Sequence, residues 1–281
     1  MKAGVQMVSA AQTATKAEGG HFSDAGNADT VAAPGDKCAE ADGREGRMPA
    51  PAVQGCGICA NREEAQLVVL KDRQEWDDVL DFWFPEGRSL TVEATAHHAY
   101  WSWRMQGGAD EQIVARFADL TRAAARGRLD HWATDPHGRL ALIVVLDQFS
   151  RSLWRGDARA FAQDPSALSL VTEGLSNGQY AMLKTPWFQA VFGLPLGHCE
   201  GPDHLQRLQT LISLREGIAA AAPPHLEPLY ARLVDQARDV HQIIAAFGRH
   251  PHRNDILNRD STAAEALYIA KGQFPHLRAF R

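Results

Sequence analysis

Two groups of ionisable residues stand in surroundings that do not favour charge. Asp147, Gln148, Arg151 and Arg155 come directly after residues 140–146, a run without a polar side chain. On one continuous helix Asp147 and Arg151 lie a turn apart, with Arg155 a turn further along the same face. A helix that is apolar on every side must be enclosed by protein, and a charge left unpaired there is strongly unfavourable. These groups must meet one another, other polar groups or a ligand. The second group is Arg249, His250, His252, Arg253, Asn254 and Arg259, opposed within residues 249–259 by Asp255 alone. Guanidinium forks match carboxylate or phosphate at two points, so one reading is a pocket for a small anionic molecule. The other reading is internal: Arg249 and Arg253 pair with Asp147 and Glu200 and tie helices together.

Two histidines could move protons for such a pocket as acid or base, His198 in Leu194-Pro-Leu-Gly-His-Cys-Glu200 and His241 ahead of the second group. A metal site would draw on His198, Glu200, His241 and His252, types that suit zinc or iron. Their spacing matches no metal motif, so no metal and no cofactor is expected. Glu200 could instead be a first-turn acid that complements the dipole of the next helix. Cys199 beside His198 suggests a nucleophile, but adjacent residues rarely face each other, and a buried thiol is the simpler reading.

Composition says what surrounds these residues. Residues 1–66 contain one Phe, no Trp and no Tyr among many small and polar residues, too little apolar surface to offset the entropy of ordering. They read as a disordered, low-complexity tail, with Met48 as an alternative start. Cys38 and the pair Cys56 and Cys59 in the tail lack a fourth zinc ligand. Residues 67–281 hold all seven Trp and all four Tyr, enough for one core. With the tail's six Lys/Arg and nine Asp/Glu removed from totals of 29 and 34, that domain carries 23 basic against 25 acidic residues. Such a balance argues against nucleic acid as a partner. No apolar run approaches the length that crosses a bilayer, and the first thirty residues lack the apolar core of a secretory signal. The expected location is the cytoplasm, away from membranes.

The elements that must position the two groups read as helices. One is expected from Arg73, capped by Asp72, to a stop at Pro85 and Gly87, with Trp76, Val79, Leu80, Trp83 and Phe84 at helical spacing. Residues 85–108 read as an aromatic-rich loop, and residues 109–126 as an amphipathic helix closed by Gly127. The central helix starts at Pro136. Ile143, Val144 and Val145 would also suit a buried strand, but residues 140–154 run without Gly, Pro or Asn for longer than a strand does. Further helices are expected over 164–177, 187–192, 203–222 and 224–248, the last two as an antiparallel pair. A final helix opens on a capping box in residues 261–265. The fold expected is therefore all-α, about eight helices and no strand.

Six motifs carry a resemblance. Asp81-Phe-Trp-Phe84, Gly127-Arg-Leu-Asp-His-Trp132, Leu140-Ala-Leu-Ile-Val-Val-Leu-Asp-Gln-Phe-Ser-Arg151, Pro195-Leu-Gly-His-Cys-Glu200, residues 241–254 and Arg259-Asp-Ser-Thr262 occur in the order seen in a bacterial family of unknown function, numbered 924. The resemblance covers about residues 74–271 and implies a tetratricopeptide-like helical bundle or solenoid with no settled activity. This chain differs from the family's usual pattern in having Cys199 in place of Ser and His250 in place of Phe. Two functions are consistent with all of this, and whether the protein is an enzyme stays open. The first is a polar pocket for a small anionic metabolite, with His198 or His241 as acid/base and Asp147, Gln148, Arg151, Arg155, Glu200, Arg249, His252, Arg253, Asn254 and Arg259 around it. The second is a tetratricopeptide-like scaffold that presents a groove to a protein partner, with the polar cluster as internal stitching.

Overall fold

The structure, a computed structural model, describes residues 73–275. The expected tail with its three cysteines lies outside the described residues. In chain order the helices are α1 (Asp77–Trp83), α2 (Ala94–Met105), α3 (Asp110–Ala124), α4 (Pro136–Ile143), α5 (Ser150–Leu153), α6 (Asp164–Ser176), α7 (Gln179–Met182), α8 (Pro186–Phe192), α9 (Leu194–His198), α10 (His204–Ala221), α11 (Glu227–Phe247) and α12 (Ala263–Lys271). No strand occurs among the described residues, which settles the central segment as helix.

That segment is not a uniform α-helix. Asp135 caps it, its carboxylate accepting from the backbone N–H groups of His137 (2.7 Å) and Gly138 (3.1 Å), and Pro136 takes the first helical position. After Ile143 the chain widens into a π-helical stretch, Val144–Phe149, and returns to α geometry for the single turn α5. The chain then leaves the helix, so Arg155 sits in a turn and not one turn further along the face of Asp147 and Arg151, as a continuous helix would have placed it. Residues 140–146 are almost completely buried, as their composition requires. Phe149 is held among Phe82, Trp83 and Phe117 with ring centroids 5.1 to 5.9 Å apart, so Phe82, Trp83 and Phe84 are buried while Asp81 stays exposed.

Several boundaries differ from the sequence expectation. The first helix begins at Asp77, with Trp76 and not Asp72 at its N-cap. Residues 85–108 are not a loop throughout, since α2 occupies their second half. Its inward face is His97, Trp101 and Arg104, at i, i+4 and i+7. A helical period written in histidine and arginine does not register as an apolar stripe. Residues 194–198 form the short helix α9, which carries His198 at its end. α10 and α11 pack along their lengths across the short link at residues 222–226. The capping box is present: Thr262 Oγ1 accepts from Glu265 N, and the Glu265 carboxylate accepts from Thr262 N. No helix among the described residues is long and apolar enough to cross a membrane.

Candidate functional site

The π stretch carries Asp147 into the centre of the molecule, where it has no solvent exposure. Both its oxygens lie 2.9 Å from Nδ1 of His198, Gln148 Nε2 donates to it at 2.5 Å, and Arg151 Nη2 stands 3.3 Å away. Burial pushes this carboxyl up, but Arg151 and His198 outweigh it and hold it well below the usual carboxylate range. Arg151 also pairs with Asp164 at 2.9 Å, and the other oxygen of Asp164 takes Arg253 at 3.0 Å. The Phe161 ring lies under both guanidinium groups, 4.4 Å from Arg253 and 5.6 Å from Arg151. The continuous chain is thus His198, Asp147, Arg151, Asp164, Arg253, drawn from α9, the π stretch, α5, the start of α6 and the turn at Pro251–Arg253.

Hydrogen-bonding to Asp147 requires a proton on His198 Nδ1, which in the neutral ring leaves Nε2 as the acceptor nitrogen. His198 lines a cavity of about 410 Å3 together with Gln148, Arg151, Arg155, His252 and Arg253, a size in the range of ligand pockets. The remaining expected site residues do not line it. Asp147 stands behind the wall. Glu200 lies ahead of α10 and is not its first-turn acid. It accepts from His250 N at 2.7 Å and from Arg259; burial raises its pKa, but Arg259 and the His250 N–H outweigh that and lower it. Arg249 pairs with Glu265 at 2.7 Å, and Asn254 donates to Ser261 at 3.0 Å. These contacts fasten the C-terminal segment. The stitching expected between Arg249, Arg253 and the pair Asp147, Glu200 is therefore replaced by Arg249 with Glu265 and Arg253 with Asp164. His241 faces a separate shallow hollow beside Glu216 and Arg238, so it does not share a site with His198. No group of three or more His, Cys, Asp or Glu among the described residues is placed to hold a metal ion. Cys199 is a buried free thiol, and burial pushes its pKa up, the opposite of an activated nucleophile.

Two further arginines line the cavity, and neither stood out in the sequence. Arg104 on α2 pairs with Glu86, both side chains being fully buried. Glu86 also lies 3.3 Å from His97 Nδ1, while His97 Nε2 accepts from Trp101 Nε1 at 3.1 Å and lies 2.9 Å from the Tyr230 hydroxyl. Arg215 on α10 is different. It is 5 % exposed; Nη1 donates to the Leu233 carbonyl at 2.5 Å and to Gln236 at 3.2 Å, Nε has no partner, and no carboxylate pairs with it among the described residues. Burial pushes it down to about 10, with no opposing charge to restore it. The other four lining arginines, Arg104, Arg151, Arg155 and Arg253, all have carboxylate partners: Glu86, Asp147, Asp164 and Asp110. Arg215 was legible in one respect, since it comes after Leu208, Leu211 and Ile212 on the buried face of α10.

Residues 79–273 match the model of a family described as a bacterial protein of unknown function, DUF924. The chain belongs to that family. The matched span begins in α1 and runs past the end of α12, so it takes in nearly all of the cavity wall. A solved structure, that of the protein of unknown function ATU0120 from Agrobacterium tumefaciens, is 29 % identical with a TM-score of 0.51, covering 70 % of this chain and 97 % of its own. No curated protein matches the chain. The family and the solved relative thus agree with the helical fold and carry no activity to this site.

Proposed function

We propose that the cavity binds a small anionic molecule and that His198 serves there as general acid/base. The observation that carries this reading is the dyad of His198 and Asp147. A buried carboxylate fixes one tautomer and one ring orientation, directs Nε2 away from itself, and stabilises the imidazolium that forms when Nε2 takes a proton. The same arrangement orients catalytic histidines in unrelated enzymes, so it supports a role in proton transfer without specifying the bond that changes. Arg151 and Arg253 beside the dyad favour negative charge on the reacting molecule, and the apolar wall formed by Trp83, Trp101 and Leu194 would keep much of the bound molecule from water.

A thermal-shift screen of phosphorylated and carboxylated metabolites tests the reading, with mass spectrometry of each stabilising compound after incubation with the protein. At least one compound is expected to raise the melting temperature and to be converted. His198→Gln should still bind it, with conversion slowed by about 100-fold or more, the usual contribution of a positioned acid/base. Absence of any stabilising compound, or equal conversion by His198→Gln, would contradict the proposal.

A further inference from the structure

We propose that Arg215 receives the anionic head of the ligand, and that the ligand is an amphipathic acid, a carboxylate or phosphate on an apolar chain or ring. This deepens the reading of the cavity as a small-anion site and rests on it. Four of the five arginines on the wall already have carboxylate partners, so an incoming anion must compete for them. Among the described residues Arg215 has no such partner, although it is buried and faces the same cavity. Its contacts with Leu233 and Gln236 occupy one terminal nitrogen and hold the group in place, which leaves its charge without a counter-charge among the described residues.

The chemistry of the ligand behind its head group is set by the walls beside Arg215. Leu211, Leu233, Val240 and Ile243 line the cavity on the two helices that flank it. Leu208 and Leu211 lie opposite Gly197, within 3.4 and 3.0 Å of where a Cβ on it would stand, and so mark the level of His198 on α10. Arg215 is four to seven residues beyond them, about 6 to 10 Å along the helix axis. A ligand anchored at Arg215 therefore extends along an apolar wall before it reaches Nε2 of His198. The anionic head and the reacting group are then different parts of one molecule, and Arg215 is a specificity-determining residue for the acid it admits.

Isothermal titration with octanoate, octyl phosphate, 1-octanol and inorganic phosphate tests this. Octanoate or octyl phosphate should bind at least tenfold more tightly than octanol or inorganic phosphate, and whichever head binds better identifies the acid. Arg215→Met keeps the apolar stem and removes the charge. It should weaken the preferred acid by at least tenfold, leave octanol unchanged, and melt at or above the wild-type temperature, since a buried charge without a counter-charge is gone. Arg215→Lys should keep the preference for acid over octanol. A residue that only bridges Leu233 and Gln236 would give the opposite result, a lower melting temperature with unaltered acid affinity, and that would overturn the assignment. Loss of acid binding in Arg151→Met but not in Arg215→Met would also overturn it while leaving the cavity as an anion site. If neither acid binds better than octanol, the amphipathic acid is wrong, whatever the metabolite screen yields.

Discussion

Asp147 is the residue on which the polar chain depends. It has no exposure, and its charge is balanced by Arg151 and by hydrogen bonds from His198 and Gln148. Removing one member of a buried pair leaves the other uncompensated, which costs about 3–5 kcal/mol where the pair is fully enclosed. Arg151 is part-exposed and keeps Asp164 as a second partner, so the lower end applies. Asp147→Ala is expected to lose about 3 kcal/mol of stability in urea unfolding, and a loss under about 1 kcal/mol would mean that the pairing is incidental. Asp147, Arg151, His198 and Arg253 were legible because charge next to an apolar run or in a tight loop demands a partner. Asp164, the actual partner of Arg151 and Arg253, was not, because a carboxylate ahead of Pro165 reads first as a helix opener. Arg215 was hidden by the opposite ambiguity: arginine on an amphipathic helix usually lays its stem on the core and keeps its head in water.

The π stretch is the element that sets this site and the one the sequence concealed. Its six residues, Val-Val-Leu-Asp-Gln-Phe, carry no mark of a wider turn, which changes which side chains face inward without changing their types. What did show was the packing demand on α4. Gly138 lies where a Cβ would run into the Trp132 carbonyl oxygen and stand 2.9 Å from the Trp76 ring. A backbone carbonyl cannot rotate away as a side chain can. Gly138→Ala should therefore cost about 2–3 kcal/mol through overpacking at the start of the central helix, read as a lower denaturation midpoint with an unchanged slope. A neutral result would show that the turn at Asp130–Thr134 can shift relative to α4. The short helices α7 and α9 escaped detection for a different reason: four or five residues carry too little period to separate from a turn.

Across the whole molecule, periodicity made the helical class legible, while long-range pairing determined how acid acts on the fold. Two buried histidines from distant segments, His204 and His250, place Nε2 3.1 and 3.0 Å from the Gly197 carbonyl, with ring centroids 5.3 Å apart. Burial pushes His204 down to about 4 and His250 well below its ordinary 6.5, with Arg253 and His252 adding to the effect at His250. Between those values and about 6.5 the unfolded chain binds protons that the folded chain refuses, so stability rises with pH through that window and is lost as pH falls through it. The carboxylates of Asp147, Glu86 and Glu200 act lower. Their pKa values are depressed in the fold, so their contribution is complete above the ordinary carboxylate range and disappears below it. Urea unfolding from pH 7.5 to pH 4.5 should therefore show a decline that begins near 6.5, before any carboxylate titrates. His250→Phe keeps the backbone bond from residue 250 to Glu200 and leaves Gly197 its bond from His204. It should flatten the decline between 6.5 and 5 while preserving the fall at lower pH. An unchanged profile in that variant would assign the neutral-to-acid loss to His204 and to His137, which burial and Arg88 also push down, and remove His250 from the balance of charge around the cavity.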